Sequence, residues 1–377
     1  MPRTTRPAQI VLVGVGHTHA EIVRRWQRAP IGGAELTCVA DAPWSAYSGM
    51  LPGVLSGQYR ADAMTIDLRR LCHRSGVRLV VGEVSAFDAR CGHLVVGDTR
   101  VPFDVASVGI GSVPTTAGVV IDDGAPFVPV KPMRSFSERL EAEVGRAAVR
   151  GGVRVAVVGG GAGGVEIALA LPSYLRSRLA VASVAEVALV AGTEGLTPGR
   201  LPATTRRVHA ALETKGISVI RGRVTRVSHR QLHLADTRLL EVDVVVWATG
   251  ASAPPLLRAL GLPTDDRGFL LTADTLRTTG DGAVFAVGDS GSIVGAPTPK
   301  AGVHAVRQGP ILWENLRRSL NGAPLRRYRP QSDFLRLLNA GGGRAIGEWR
   351  RLSFEGAWVW HLKDRIDRRF MARYQAG

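Results

Sequence analysis

The chain has 377 residues, 45% of them hydrophobic, and a net charge of +16 from 48 basic and 32 acidic residues. That length and apolar content call for more than one buried core and exclude an intrinsically disordered chain. Three cysteines, Cys38, Cys72 and Cys91, show no Cys-x-x-Cys spacing, which excludes a disulfide framework and a thioredoxin-like dithiol.

The charge suits phosphates, nucleic acid or an anionic membrane, but arginine is spread along the whole chain. No basic stripe with interleaved aromatics marks a nucleic-acid module, so nucleic acid is not expected as a partner. Residues 1–9 show no apolar core of a signal peptide. The longest apolar stretch, around Val155 to Leu171, is broken by Glu166 and several glycines, so no spanning helix is expected. A cytoplasmic location follows as the expectation.

In chain order, Ile10 to Val13 reads as a strand ending in glycine, Ala20 to Gln27 as a helix and Leu36 to Ala40 as a second strand. This is a β-α-β unit with a right-handed crossover. Val105 to Pro114 follows as an apolar run. Ser135 to Ala148 has helical spacing, with Phe136, Leu140, Val144 and Ala147 on one face. A second β-α-β unit spans Val153 to Val158, Gly164 to Leu171 and Val184 to Val190. Pro202 to Lys215 reads as a helix, Ser218 to Ile220 as a strand, and Val242 to Trp247 and Val284 to Val287 as buried strands. Residues 331–377 are basic and tryptophan-rich. The expected fold class is α/β, with two Rossmann-like dinucleotide-binding domains and a small C-terminal segment.

The turns carry the chemistry. Gly14-Val15-Gly16-His17-Thr18-His19 is a degenerate Gly-x-Gly turn. Gly14 permits the tight bend, and Gly16 lets the backbone approach a pyrophosphate at a helix N-terminus. Asp41, at the end of the next strand, is placed to accept ribose hydroxyls. His17 and His19 suit polar contact or packing better than a metal, and no metal site is expected. Gly159, Gly161 and Gly164 complete a full Gly-x-Gly-x-x-Gly after a strand and before a helix. No acid stands at the tip of the strand that follows; Glu194 comes late and Arg200 later, so NADH and NADPH both stay open. Glu166 either faces the nicotinamide or packs. Two further strands end in Ala248-Thr249-Gly250 and in Gly288-Asp289. Lys300-Ala301-Gly302 then opens a helix whose positive end suits developing negative charge.

The order of these motifs resembles that of the pyridine nucleotide-disulfide oxidoreductase superfamily over residues 8 to about 320. Within it, Tyr47 to Gly53, Lys300 to Val303, Val306 to Pro310 and Leu362 to Met371 look like type II NADH dehydrogenases. They look most like the NADH-dehydrogenase-like flavoproteins found alone or fused to selenide, water dikinase. The resemblance implies FAD as cofactor and NADH or NADPH as donor. It implies an FAD domain at 1–113 and 249–325, discontinuous because an NAD(P)H domain at 114–248 is inserted, and a segment at 326–377. It places FAD on Gly14, Gly16, His17, Thr18, Asp41, Gly288, Asp289, Lys300, Ala301 and Gly302. It places NAD(P)H on Gly159, Gly161, Gly164, Glu166 and Gly250. Met50, Leu51 and Pro52, with Lys300, become candidates for the flavin wall. The redox cysteine of the disulfide reductases is missing from Ala46 to Gly53, so thiol chemistry is not expected.

The expected activity is hydride transfer from NAD(P)H to FAD N5, then electron transfer to an acceptor, with a quinone as first candidate. A soluble flavin oxidase, dehydrogenase or monooxygenase, and a non-enzymatic redox sensor, are the alternatives. Trp358 to Met371 mixes aromatic and aliphatic residues with arginines. That composition suits a peripheral membrane helix at the inner face, a helix covering an apolar groove, or a homodimer contact.

Overall fold

In the computed structural model, residues 6–150, 152–179 and 184–375 are described. Residues 1–5, on which part of the N-terminal reading rests, lie outside them. The helices are α1 (His17–Arg28), α2 (Leu51–Leu55), α3 (Leu68–Arg74), α4 (Phe136–Ala148), α5 (Ala162–Arg176), α6 (Pro202–Thr214), α7 (Pro255–Ala259), α8 (Gly302–Leu320) and α9 (Ala357–Gln375).

Two five-stranded parallel sheets organise the chain. The first orders its strands Val284–Ala286, Val105–Val108, Ala8–Val13, Ala34–Ala40 and Arg78–Val81. The second orders Phe127–Pro129, Val244–Trp247, Gly152–Val158, Val184–Ala191 and Ser218–Arg221. The chain therefore leaves the first sheet after residue 108, builds the second, and returns at residue 284 to the edge of the first. The two passages between sheets are tied together, Val113 to Pro114 pairing antiparallel with Ala251 to Ser252.

Continuous apolar runs form these strands because both faces are covered. Ile10 and Leu12 enter one core with the helices, while Val11 and Val13 pack against the other face with Leu94, Val96 and Val101. Val155 and Val157 face helices; Ala156 and Val158 face Val227, Leu232 and Leu234. Each such valine or isoleucine, fully buried, contributes about 1.5–3 kcal/mol.

The β-α-β elements stand where the sequence places them, with α1 starting three residues earlier, at His17, and α5 running on to Arg176. Among the described residues, three antiparallel pieces of three strands each were not legible, besides two short two-stranded pairs. Residues 84–102 and 224–241 form meanders that cover the sheets' second faces. Residues 336–356 form a three-stranded sheet ahead of α9, in a stretch whose composition alone shows only basic and tryptophan-rich character.

Candidate active site

The first turn is built by packing. Gly14 has φ +79°, and a Cβ there would lie 2.7 Å from the Gly109 carbonyl oxygen. His19 stands where a third glycine would. Its Nδ1–H donates to the Gly14 carbonyl and its Nε2 accepts from the Ser107 hydroxyl at 2.9 Å. Burial holds its pKa down at about 4, so it is a neutral brace for the turn. Gly16 caps α1 with no side-chain acceptor on the first-turn N–H groups and no acid in that turn. Those donors are left for an anion.

The start of α8 meets the start of α1. Thr18 donates to the Ala305 carbonyl at 2.7 Å, and a Cβ on Gly302 would sit 3.9 Å from the His17 ring. Ala301 caps α8, again without a side-chain acceptor. Gly288 donates its N–H to Gln308 at 2.6 Å, which fixes the strand end bearing Asp289. Asp289 accepts from Ser112 at 2.6 Å and faces Lys131 at 3.5 Å. His17 lies near this pair; burial first, then Lys131, lowers its pKa to about 4 against the pull of Asp289. Asp41 is exposed at its strand end and paired with Arg134. Two uncapped helix N-termini, a neutral imidazole and a carboxylate thus converge on one turn, an arrangement that fits a diphosphate with a sugar on either side.

Lys300 is not directed at open space. Its ammonium donates to the Gly291 carbonyl at 2.6 Å and lies 3.8 Å over the Phe269 ring. Burial lowers its pKa to about 8, opposed by Asp289 and Asp265. Met50 and Leu51 are 1% and 2% exposed, and Pro52 is buried with them, in the core where α2 meets α5.

The second turn is tighter. A Cβ on Gly164 would run into the Gly159 carbonyl, and one on Gly159 into the Ala248 carbonyl. Gly161 caps α5 with open space around its Cα and no side-chain cap. The strand end at Ala248 to Gly250 is held by Thr115, whose carbonyl accepts from Trp247 at 2.8 Å and Thr249 at 2.7 Å and whose N–H donates to Gly250.

Glu166 does not stand free on α5. Its carboxylate accepts the Asn339 N–H at 2.7 Å, from the C-terminal sheet. Burial raises its pKa to about 7, against Lys363 and that hydrogen bond. Lys363 and Asp367 form a buried pair at 2.7 Å on α9; Lys363 also donates to the Gly49 carbonyl at 2.8 Å, and Tyr47 donates to Asp367 at 2.9 Å. Phe370 packs on Tyr47 and on His17, with ring centroids 4.6 and 5.5 Å apart. So α9 lies over the first turn with Val359, Trp360, Lys363, Asp367, Phe370, Met371 and Tyr374 buried. Sequence reasoning missed Tyr47, Ser112, Lys131, Asn339, Lys363 and Asp367 as site residues. An i, i+4 Lys–Asp pair ordinarily marks a solvated helix face. Cys38 and Cys72 are buried and Cys91 is exposed.

This fold and site define a flavoprotein oxidoreductase with two dinucleotide units. The chain belongs to the pyridine nucleotide-disulphide oxidoreductase family, which it matches over residues 8–309. FAD is characteristic of that family, and the chain is an enzyme of the type II NADH dehydrogenase kind. It is 28% identical over 290 residues to demethylphylloquinone reductase NdbB of Synechocystis sp., covering 71% of this chain and 68% of that one. It is 25% identical over 329 residues to the type II NADH:quinone oxidoreductase NdhA of Mycobacterium tuberculosis, covering 77% and 67%. The fold is shared with NDH2 of Plasmodium falciparum, solved with NADH, at a TM-score of 0.77 and 12% identity over 99% of both chains.

Proposed function

We propose that the protein passes reducing equivalents from NAD(P)H through FAD to a quinone, without a redox disulfide. The observation that carries the cofactor placement is the meeting of the uncapped N-termini of α1 and α8 at the Gly14 turn, beside Asp289. The flavin, when bound, supplies hydride acceptance from the nicotinamide and electron release to the acceptor. Gly14 makes the tight bend and Gly16 opens the way to the free first-turn N–H groups of α1, which give the pyrophosphate its backbone donors; Asp41 takes the adenosine ribose and Asp289 the ribityl side. The start of α8, with Ala301 and Gly302, supplies positive potential at the pyrimidine edge. Gly159, Gly161 and Gly164 seat the second pyrophosphate, and Gly250 borders it. Glu166 stands on α5 just past this turn, buried against the Asn339 N–H of the C-terminal sheet. That the relatives NdbB and NdhA are quinone reductases supports the choice of acceptor.

The same reading extends to a membrane surface, where quinones reside. Among the described residues no helix is long and apolar enough to cross a membrane. The outer face of α9 exposes Trp358 and Ile366 among Arg365, Arg368, Arg369 and Arg373, and the adjoining hairpin exposes Trp349 and Leu352 around Arg350 and Arg351. Apolar tips within a basic field suit an anionic interface.

Anaerobic titration of the flavin-loaded protein with NADH and NADPH, followed by reoxidation with a soluble quinone or oxygen, tests the first part. Flavin bleaching and quinone reoxidation faster than oxygen reoxidation are expected; no bleaching by either nucleotide refutes it. Flotation with anionic vesicles tests the second, and its absence at low salt removes the membrane contact.

A further inference from the structure

We infer that the second dinucleotide unit is built for the 2′-phosphorylated donor, NADPH, with Gly192 and Arg221 setting the preference. The inference rests on the proposed seating of the donor at Gly159 to Gly164.

The two units share one register, which allows residue-by-residue comparison inside the same chain. In the first, Gly14 donates its N–H to Val39 at 2.8 Å and Gly82 to Ala40 at 2.8 Å. In the second, Gly159 donates to Val190 at 2.9 Å and Gly222 to Ala191 at 2.9 Å. Val39 thus corresponds to Val190 and Ala40 to Ala191. The next residue is Asp41 in the first unit and Gly192 in the second. The neighbouring strand ends at Val81, paired with Ala40, and at Arg221, paired with Ala191. Where the first unit offers a carboxylate beside an aliphatic residue, the second offers no side chain beside a guanidinium.

A carboxylate at that strand end accepts both ribose hydroxyls of an unphosphorylated adenosine and repels a 2′-phosphate, whereas a nearby arginine accommodates the phosphate. The phosphate brings about −1.5 to −2 charges, so exchanging an acid for a cation inverts the electrostatics of the subsite. Arg221 is exposed, and among the described residues its guanidinium has no hydrogen-bond or ion-pair partner; only its carbonyl is engaged, by Arg238. Arg200 is not the competing cation. It is half-buried, faces Glu348 at 3.8 Å and belongs to the contact with the C-terminal sheet. The remaining acid, Glu194, sits in a turn closed by the Gly195 N–H on the Gly192 carbonyl at 2.9 Å, two residues beyond the strand-end position.

Gly192 can be changed without a steric penalty. A Cβ there meets nothing within 4 Å, and its φ lies outside the left-handed region. Gly192→Asp therefore restores the carboxylate on an otherwise intact turn.

The test is calorimetric binding of NADP+ and NAD+ to the flavin-loaded protein, with kcat/KM for NADPH and NADH alongside. Wild type is expected to favour the phosphorylated form at least about tenfold at low salt, with the margin shrinking as salt rises. Arg221→Gln is expected to weaken NADP+ at least about tenfold while moving NAD+ less than about twofold. Gly192→Asp is expected to reverse the preference. A wild type that favours NAD+, or an Arg221→Gln variant with an unchanged ratio, overturns the inference. A wild type that favours NAD+ and loses it on Glu194→Gln overturns it by assigning the ribose to Glu194. Binding of neither nucleotide overturns the donor seating itself, a result distinct from binding with the opposite preference.

Discussion

Replacing Lys363 by methionine isolates the contact that holds α9 over the first turn. The Lys363 side chain is 7% exposed and its ammonium serves two acceptors, Asp367 at 2.7 Å and the Gly49 carbonyl at 2.8 Å. Methionine keeps the apolar stem and removes both bonds. Asp367, itself 5% exposed, then keeps only the Tyr47 hydroxyl. Breaking a buried pair from one side costs about 3–5 kcal/mol, because the remaining charge is uncompensated. At about 1.4 kcal/mol per decade, the lower figure shifts the opening equilibrium of the helix by roughly a hundredfold. Hydrogen exchange of residues 357–375, followed by mass spectrometry, reads that equilibrium directly. Burial already holds the Asp367 pKa above its ordinary value, and losing Lys363 raises it further. Protonation relieves the stranded charge, so the acceleration is smaller in mild acid than in mild base. Lys363→Met/Asp367→Asn removes both charges while keeping a partner for Tyr47, and most of the protection returns. Acceleration of less than about threefold, or a double variant as open as the single one, would refute the reasoning.

Glu166→Gln alters the pH dependence of stability. The Glu166 pKa is raised from 4.5 to about 7, so between those values the folded chain holds a proton the unfolded chain has lost. That component of stability falls as pH rises from 4.5 to 7, and thermal unfolding of the glutamine variant should show a flatter profile across the window. Gly14→Ala forces a side chain into φ +79° and onto the Gly109 carbonyl; the protein is expected to purify with markedly substoichiometric flavin, measured by absorbance after denaturation, and full occupancy would count against this turn as the FAD site. Glu348→Ala removes the acceptor for the Leu201 N–H at 2.9 Å and the Thr204 hydroxyl at 2.7 Å at the start of α6, and should cost about 1–2 kcal/mol in urea unfolding.

The sequence made the two glycine turns and the strands around them legible, because a parallel strand buried on both faces is a continuous apolar run closed by glycine. The meanders at 84–102 and 224–241 were hidden by their half-exposed faces, which dilute the alternation with arginine and aspartate. The C-terminal sheet turns at Gly341 to Gly343, all at positive φ, which reads locally as a loop. The inner half of the site was hidden for another reason. Tyr47 and Asp367 lie far apart in sequence, and only the docking of α9 brings them together. His19 was read as polar contact or packing, and its partners were not legible, since only the fold sets Ser107 and Gly14 on either side of it.

The C-terminal segment touches both nucleotide units at once. Its helix is fixed to the first through Lys363, Asp367 and Phe370, and its sheet to the second through Glu348, through Asn339 on Glu166, and through the ion pair of Glu355 with Arg207 at 3.1 Å. The crossover at residues 113–114 and 251–252 is by itself a natural hinge. With the strut in place, swinging one unit away from the other would break contacts on both sides of the axis. If donor and flavin sit at the two glycine turns as proposed, the spacing between them is stiffened before the donor arrives, and the donor need not spend its own binding energy on setting it.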